Sequence, residues 1–175
     1  ALSLYVLDIT GRADIFAALF AISSIPMLLS PIGGAISDRL NRQRLMVIYD
    51  AACCVIAFVF LLVLWSGYAS VLAIGVVMVL LGVVGAMETP NGTACVPSLV
   101  PQRNLESANG VIQAVQSLSG VIAPVLGGLL YGVLGIAALV AISGAAFGLA
   151  ALMELLIRIP YVKRPQTGGM MSILQ

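Results

Sequence analysis

Asp8, Asp50, Glu88 and Glu154 sit inside or beside long apolar runs. A carboxyl placed there can take up and release a proton, and its charge changes as it does so. Asp38 stands in a different setting. It lies in Gly33-Gly34-Ala35-Ile36-Ser37-Asp38-Arg39-Leu40-Asn41-Arg42-Gln43-Arg44, a stretch with three of the eight basic residues within six positions. The chemistry open to such a set is ion pairing. Histidine is absent, which removes the commonest general base and metal ligand. Cys53, Cys54 and Cys95 are odd in number, and neighbouring Cys53 and Cys54 point to different helix faces. Neither a disulfide framework nor a metal site is indicated. No nucleophile, base and orienter are spaced as a catalytic set. The expectation is therefore no enzyme, no catalytic residue, no metal and no cofactor.

The elements that must position these groups follow from composition. The chain has 175 residues, 61% hydrophobic and only 9% charged. Soluble proteins average about 45–50% apolar and about 25% charged. A mean hydropathy of +1.14 excludes an ordinary soluble domain. A net charge of +1 gives no reason to expect a nucleic-acid partner. Apolar runs of about twenty residues flank the basic stretch, the length a helix needs to cross a bilayer. The stretch reads as a cytoplasmic turn between two spanning helices.

Taken in order, residues 1–8 read as the tail of a first helix whose start is missing. Thr10 to Asp14 form a turn. A second helix is expected over about 14 to 36, with Pro26 and Pro31 inside it, and a third over about 45 to 66. Trp65 and Tyr68 make an interfacial aromatic pair at its end. A fourth is expected over about 70 to 92, and Pro97 to Asn104 form a polar connection. A fifth runs over about 105 to 131, Gly132 to Gly135 turn, and a sixth runs over about 136 to 158. Residues 159–175 read as the start of a cytoplasmic linker to a missing C-terminal half.

With the loop at 37–44 placed in the cytoplasm and sides alternated, Arg39, Arg42, Arg44, Arg103, Arg158, Lys163 and Arg164 fall inside. Only Arg12 falls outside. That asymmetry fits the positive-inside rule. The loops at 37–44 and 93–104 and the tail 159–175 are then cytoplasmic. An echo supports the alternation. Ser30-Pro31-Ile32-Gly33-Gly34 resembles Ala123-Pro124-Val125-Leu126-Gly127-Gly128, at opposite bilayer faces, as an inverted repeat of three-helix units would have it.

The loop motif carries a resemblance. Gly34, Asp38, Arg39 and Arg42 match the signature between helices 2 and 3 of the major facilitator superfamily. Asn41 stands where the family usually has Gly, and Asn is the next-best residue for a left-handed turn. Gln43 replaces a basic residue, and Arg44 places a basic charge one position further on. Gly120 to Gly128 resembles the family's antiporter signature of helix 5, with Gly120, Pro124, Gly127 and Gly128 matching and Ala123 in place of one Gly. Leu4 to Gly11, Pro97 to Pro101, Leu105 and Ala108-Asn109 extend the resemblance to the branch of drug, macrolide and enterobactin exporters. It implies an all-α integral membrane fold. This would be the N-terminal six-helix bundle of the facilitator fold (residues 1–158, a 3+3 inverted repeat, first helix truncated). It also implies a conformational latch at Gly34, Asp38, Arg39 and Arg42, and location in a plasma (inner) membrane, of bacterial type.

The residues themselves add roles. Gly120, Gly127 and Gly128 strip side chains from a helix face, so another helix can approach closely; ordinary small-residue packing is the plainer alternative. On the same stripe lie Asn109, Gln113 and Gln116, costly against lipid and therefore expected to face a cavity. Candidates for proton coupling are Asp8, Asp50 and Glu88. Asp50 reads more readily as half of a structural ion pair, Glu154 pairs with Arg158 at helical spacing, and Asp8 reads equally as a wet end residue. Glu88 is the acid expected to meet Arg42 in the latch; the alternative is that Arg42 only meets lipid phosphates. The function expected is secondary active transport, proton-coupled efflux of small amphipathic molecules by alternating access. The partners expected are the substrate, protons, the lipid bilayer and the missing half. The alternatives are an importer or lipid flippase of the same fold, and a non-transporting sensor or scaffold.

Overall fold

The computed structural model describes residues 2–37 and 41–156. Of Ile32, Ala35, Ser37, Arg42, residues 90–95 and residues 97–99 it describes only the backbone. Every regular element among the described residues is helical. In chain order these are α1 (Leu2–Thr10), α2 (Ala13–Ser24), a 3-10 stretch (Ile25–Leu29) and α3 (Ser30–Ser37). Then come α4 (Arg42–Trp65), α5 (Val71–Leu99), a 3-10 turn (Gln102–Asn104) and α6 (Leu105–Leu156).

Local chemistry explains the breaks. Gly11, Gly67 and Gly135 have φ of 63°, 76° and 73°, a region that side chains with a Cβ rarely enter. Gly11 ends α1, Gly67 follows α4, and Gly135 interrupts α6. Pro26 and Pro31 each lack an N–H, and between them the chain tightens into 3-10 geometry rather than stopping. Ser70 caps α5, its hydroxyl accepting from the Ala73 N–H at 3.2 Å.

Among the described residues, three segments are long and apolar enough to cross a membrane: Gln43–Trp65, Val71–Thr89 and Gln102–Leu156. Ala13–Leu29 is a shorter apolar helix. The 55 residues of Gln102–Leu156 would form a straight rod of about 80 Å. A bilayer core is about 30 Å thick. The break at Gly135 divides α6 into a first limb, 105–134, and a second limb, 136–156.

Contacts fix the relative directions. Leu19 faces Gly75, and Ser23 and Pro26 face Gly82, so α2 and α5 run parallel. Gly144 meets Ala57, Gly148 meets Cys54, and Gln43 reaches Glu154, so the second limb runs antiparallel to α4. Leu4 faces Gly128 and Asp8 meets Tyr131, so the first limb runs parallel to α1. An apolar core of Val6, Ala57, Phe60, Leu61, Ile74 and Val140 joins α1, α4, α5 and the second limb near the Gly67 end. Toward the Arg42 end, the buried set of Leu45, Tyr49, Asp50 and Cys53 includes a carboxylate.

Three expectations change. The fourth helix does not stop near residue 92: α5 continues to Leu99, so the connection expected over 93–104 begins only at Val100. The backbone carries the helix through Pro90 and Pro97, as membrane helices tolerate when freed carbonyls find other partners. Asn41 does not adopt a left-handed turn. Its φ of −69° and ψ of 111° are extended, and its side chain caps α4 by accepting from the Arg44 N–H at 3.3 Å. The turn expected over Gly132 to Gly135 is concentrated at Gly135 alone. The tail at 159–175 lies outside the described residues.

Candidate functional site

The signature loop joins α3 to α4. Asp38 and Arg39 lie outside the described residues, as does the side chain of Arg42. The frame around them is defined. Helix α3 ends at Ser37, and capped Asn41 restarts the helix at Arg42. Gly33 is buried, while a Cβ on Gly34 would meet nothing within 4 Å.

Two turns into α4 lies Asp50, only 5% exposed. Glu88 approaches it from α5, within electrostatic range of both Asp50 and Cys53. Asp50 itself lies about 12 Å further along α4 than Arg42. Glu154 enters from the second limb and interacts with both other acids. Its Oε2 is buried and has no hydrogen-bond partner among the described residues. The side-chain amide of Gln43 donates to the Glu154 backbone carbonyl at 2.9 Å and ties α4 to the second limb there. Three carboxylates from three helices thus lie toward the Arg42 end, within electrostatic range of one another. Sequence spacing pointed to Asp50 and Glu88 singly and assigned Glu154 to Arg158. Arg158 lies outside the described residues.

At the opposite end of the bundle, Asp8 has a different environment. The Tyr131 hydroxyl donates to Asp8 Oδ2 at 2.9 Å, joining α1 to the first limb. Arg12 and Asp14 form an exposed ion pair in the turn that follows α1.

The first limb carries the remaining candidates. Asn109, Gln113, Gln116, Gly120 and Pro124 are all exposed. A Cβ on Gly120 or Gly127 would meet nothing within 4 Å, and one on Gly128 would meet only Leu4 Cδ1 at 3.9 Å. The opposite side of the limb is apolar and also exposed, at Val111, Val115, Leu118 and Val125. The described residues supply no close helix partner for Gly120 and Gly127. Between α2 and α5 runs an open apolar groove of about 350 Å³, along Leu19, Ile22, Val76 and Leu80. No group of His, Cys, Asp and Glu among the described residues is arranged to hold a metal ion.

Sequence reasoning missed the glycines that do pack. A Cβ on Gly82 would lie 2.9 Å from the Ser23 carbonyl oxygen, and one on Gly75 would lie 2.9 Å from Leu19 Cδ2. Gly144 would clash toward Ala57 and Phe58, and Gly148 toward Cys54 Sγ at 3.2 Å. The spacing Gly144-x-x-x-Gly148 was the available signal, since small residues four apart share a helix face.

Residues 1–172 match the Major Facilitator Superfamily. Macrolide efflux protein A of Streptococcus pyogenes is 27% identical over 161 residues, 91% of this chain and 40% of that protein. Macrolide efflux protein A of Enterococcus faecalis is 29% identical over 133 residues, 76% of this chain and 41% of that protein. Multidrug efflux pump Tap of Mycobacterium tuberculosis is 27% identical over 149 residues, 81% of this chain and 35% of that protein. The chain spans about two fifths or less of these relatives. No solved structure matches it. A transporter family, not an enzyme, is what these matches indicate. The chain belongs to the Major Facilitator Superfamily.

Proposed function

We propose that the protein containing this chain is a secondary transporter that exports small amphipathic molecules, of macrolide or multidrug type, in exchange for protons. The observation that carries this reading is similarity to a macrolide efflux protein across 91% of the chain. The chain would be the N-terminal half, six helices in two inverted triplets, working against a second half by alternating access. The antiparallel and parallel pairings of the helices support that layout, and so does the echo of Ser30 to Gly34 in Ala123 to Gly128. The distribution of Lys and Arg supports a cytoplasmic Arg42 end in a bacterial inner membrane.

Within this reading each candidate has a role. Asn109, Gln113 and Gln116 face the aqueous cavity, because amides are costly against lipid, and the valine side of the first limb faces the bilayer. Gly120, Pro124, Gly127 and Gly128 form the surface on which a helix outside this chain moves. Asp8, Asp50 and Glu88 are the candidates for carrying the proton. Gly34, Asp38, Arg39 and Arg42 form the latch, and Arg42 swings from the end of α4 toward Glu88. A latch worth about 1.4 kcal/mol would shift the balance of two states tenfold.

The test is dye and macrolide efflux by the full-length protein in cells, with and without a protonophore. Gradient-dependent efflux is expected. Arg42→Glu and Glu88→Arg should each reduce it, and the double variant should recover part of the loss. Absence of efflux for every compound in a broad panel, at verified expression, would reject export. A double variant no better than the worse single one would reject the latch pair.

A further inference from the structure

At the end of the bundle opposite Arg42, α1 and the first limb bring an acid and a phenol together. The Tyr131 hydroxyl donates to Asp8 Oδ2 at 2.9 Å. Asp8 stands one turn before the Gly11 break, and Tyr131 one turn before the Gly135 break. Both therefore sit at the mouth of the bundle. The contact is exposed, so a molecule arriving from water can reach it. The second carboxylate oxygen, Oδ1, takes no hydrogen bond from a described residue, and Asp8 makes no ion pair with one.

Helical register puts this contact on the face that carries the amides. Tyr131 lies 18 residues beyond Gln113, which is five turns at about 3.6 residues per turn, and the backbone between them is helical throughout. Tyr131 therefore ends the stripe that runs through Gln113, Gln116, Gly120, Pro124 and Gly127. Asp8 approaches that stripe from α1, on the same side as Leu4 one turn earlier, which faces Gly128. Tyr5 also precedes Asp8 by one turn. It packs in part on the apolar core and lies within electrostatic range of the Tyr131 hydroxyl. The carboxylate is thus flanked by apolar and aromatic surface.

The local charge balance is negative. Arg12, in the turn after α1, is held by Asp14 in an ion pair. Arg44 and Arg103 stand at the other end of the bundle. No described residue compensates Asp8. A hard divalent cation takes about six or more oxygen ligands, and no group able to hold a metal ion is present among the described residues. An organic cation fits the surroundings better. Its charge pairs with the carboxylate, its apolar body lies on Leu4, and aromatic rings attract cations to their faces.

We propose that Asp8, held by Tyr131 and flanked by Leu4 and Tyr5, is a subsite for the charged end of an amphipathic organic cation. The subsite rests on the export reading above and narrows its substrate class to compounds that carry a positive charge. It gives Asp8 a part in selecting substrate in place of carrying the proton. Tyr131 is a positioning residue: its hydroxyl fixes one carboxylate oxygen and leaves the other for the cation. An uncharged compound gains nothing from the carboxylate, so the subsite sorts molecules by charge.

The experiment uses the full-length protein purified in detergent. Equilibrium binding is measured by scintillation proximity with radiolabelled methyltriphenylphosphonium and with triphenylphosphine oxide, an uncharged compound of similar shape. The wild-type protein should bind the cation at least fivefold more tightly than the uncharged compound, a modest factor because exposed charge pairs are weak. Asp8→Asn keeps an acceptor for the Tyr131 hydroxyl and should fold, yet it should abolish the preference. Asp8→Glu should restore most of it, and Tyr131→Phe should reduce it by less than Asp8→Asn does. A wild-type protein without the preference overturns the proposal, and so does Asp8→Asn that retains it. Equal weakening of both compounds in Asp8→Asn marks a structural role and also overturns it. Efflux of ethidium from cells is scored separately. If the charge preference stands and efflux is absent, the export reading fails and the subsite remains.

Discussion

The two limbs of α6 both carry glycines and use them in opposite ways. In the second limb, Gly144 and Gly148 are pressed against Ala57, Phe58 and Cys54 of α4. In the first limb, Gly120 and Gly127 look into open space. Both segments would score alike in a count of small residues. What separates them is whether this chain supplies the opposing helix. Within a membrane there is little hydrophobic drive between helices, so close backbone approach supplies van der Waals packing instead. The second limb spends its glycines on holding the bundle together. The first limb keeps a bare face available for something that is not among the described residues.

The comparison is tested most severely by filling the packed glycines. Gly82→Leu should have the largest effect, because its Cβ alone would lie 2.9 Å from the Ser23 carbonyl oxygen and backbone cannot step aside cheaply. Gly144→Leu should follow, with Ala57 Cβ at 3.2 Å and Phe58 Cε2 at 3.3 Å. Overpacking of this kind costs about 1–3 kcal/mol and at times more. Both variants of the full-length protein should show reduced monodisperse yield and earlier thermal unfolding in detergent. Yields equal to wild type for both would mean that the second limb and α2 are not held as described.

Much of this was legible in the sequence, and the rest was hidden for identifiable reasons. Gly11, Gly67 and the Trp65–Tyr68 turn announced helix ends because a left-handed glycine is a local matter. The basic stretch announced a break between helices because charge is costly in lipid, and α4 starts afresh at Arg42 behind extended Asn41. Asn41 was misjudged, since the same residue type suits both a left-handed turn and an N-cap, and only the backbone decides. The end of α5 was placed too early because proline is a weaker stop signal in membrane helices than in soluble ones. That Glu154 lies within electrostatic range of Asp50 and Glu88 depends on the antiparallel register of the second limb on α4, which no local pattern encodes.

A substitution in the open face should separate folding from function. Gly127→Leu adds a side chain where a Cβ meets nothing within 4 Å in this chain. Folded yield should match wild type within about twofold, on the scale of surface changes worth under 0.5 kcal/mol. Efflux by the full-length protein should nevertheless fall at least tenfold, because the bare face is where the second half is expected to approach. Wild-type efflux at equal expression would show that the face has no moving partner. A collapse in yield comparable with Gly144→Leu would erase the difference between the limbs.

The smallest expected effect concerns a polar tie that holds the first limb to α1. Tyr131 donates to Asp8 at 2.9 Å, and removal of the hydroxyl in Tyr131→Phe deletes that bond while keeping the ring. A hydrogen bond contributes about 0.5–1.5 kcal/mol net, and more when one partner is charged. The pair is exposed, so water can replace either partner and the loss should sit near the lower bound. Asp8→Asn keeps a carbonyl oxygen that can accept from the same hydroxyl, so it should cost less than Tyr131→Phe. The double variant should be no worse than Tyr131→Phe alone, because the bond is already gone. Thermal unfolding of the full-length protein in detergent measures all three. A loss from Tyr131→Phe as large as that from Gly144→Leu would mean that the first limb depends on this tie as heavily as the second limb depends on its glycines. The contrast between a sealed limb and a lightly held one would then fail.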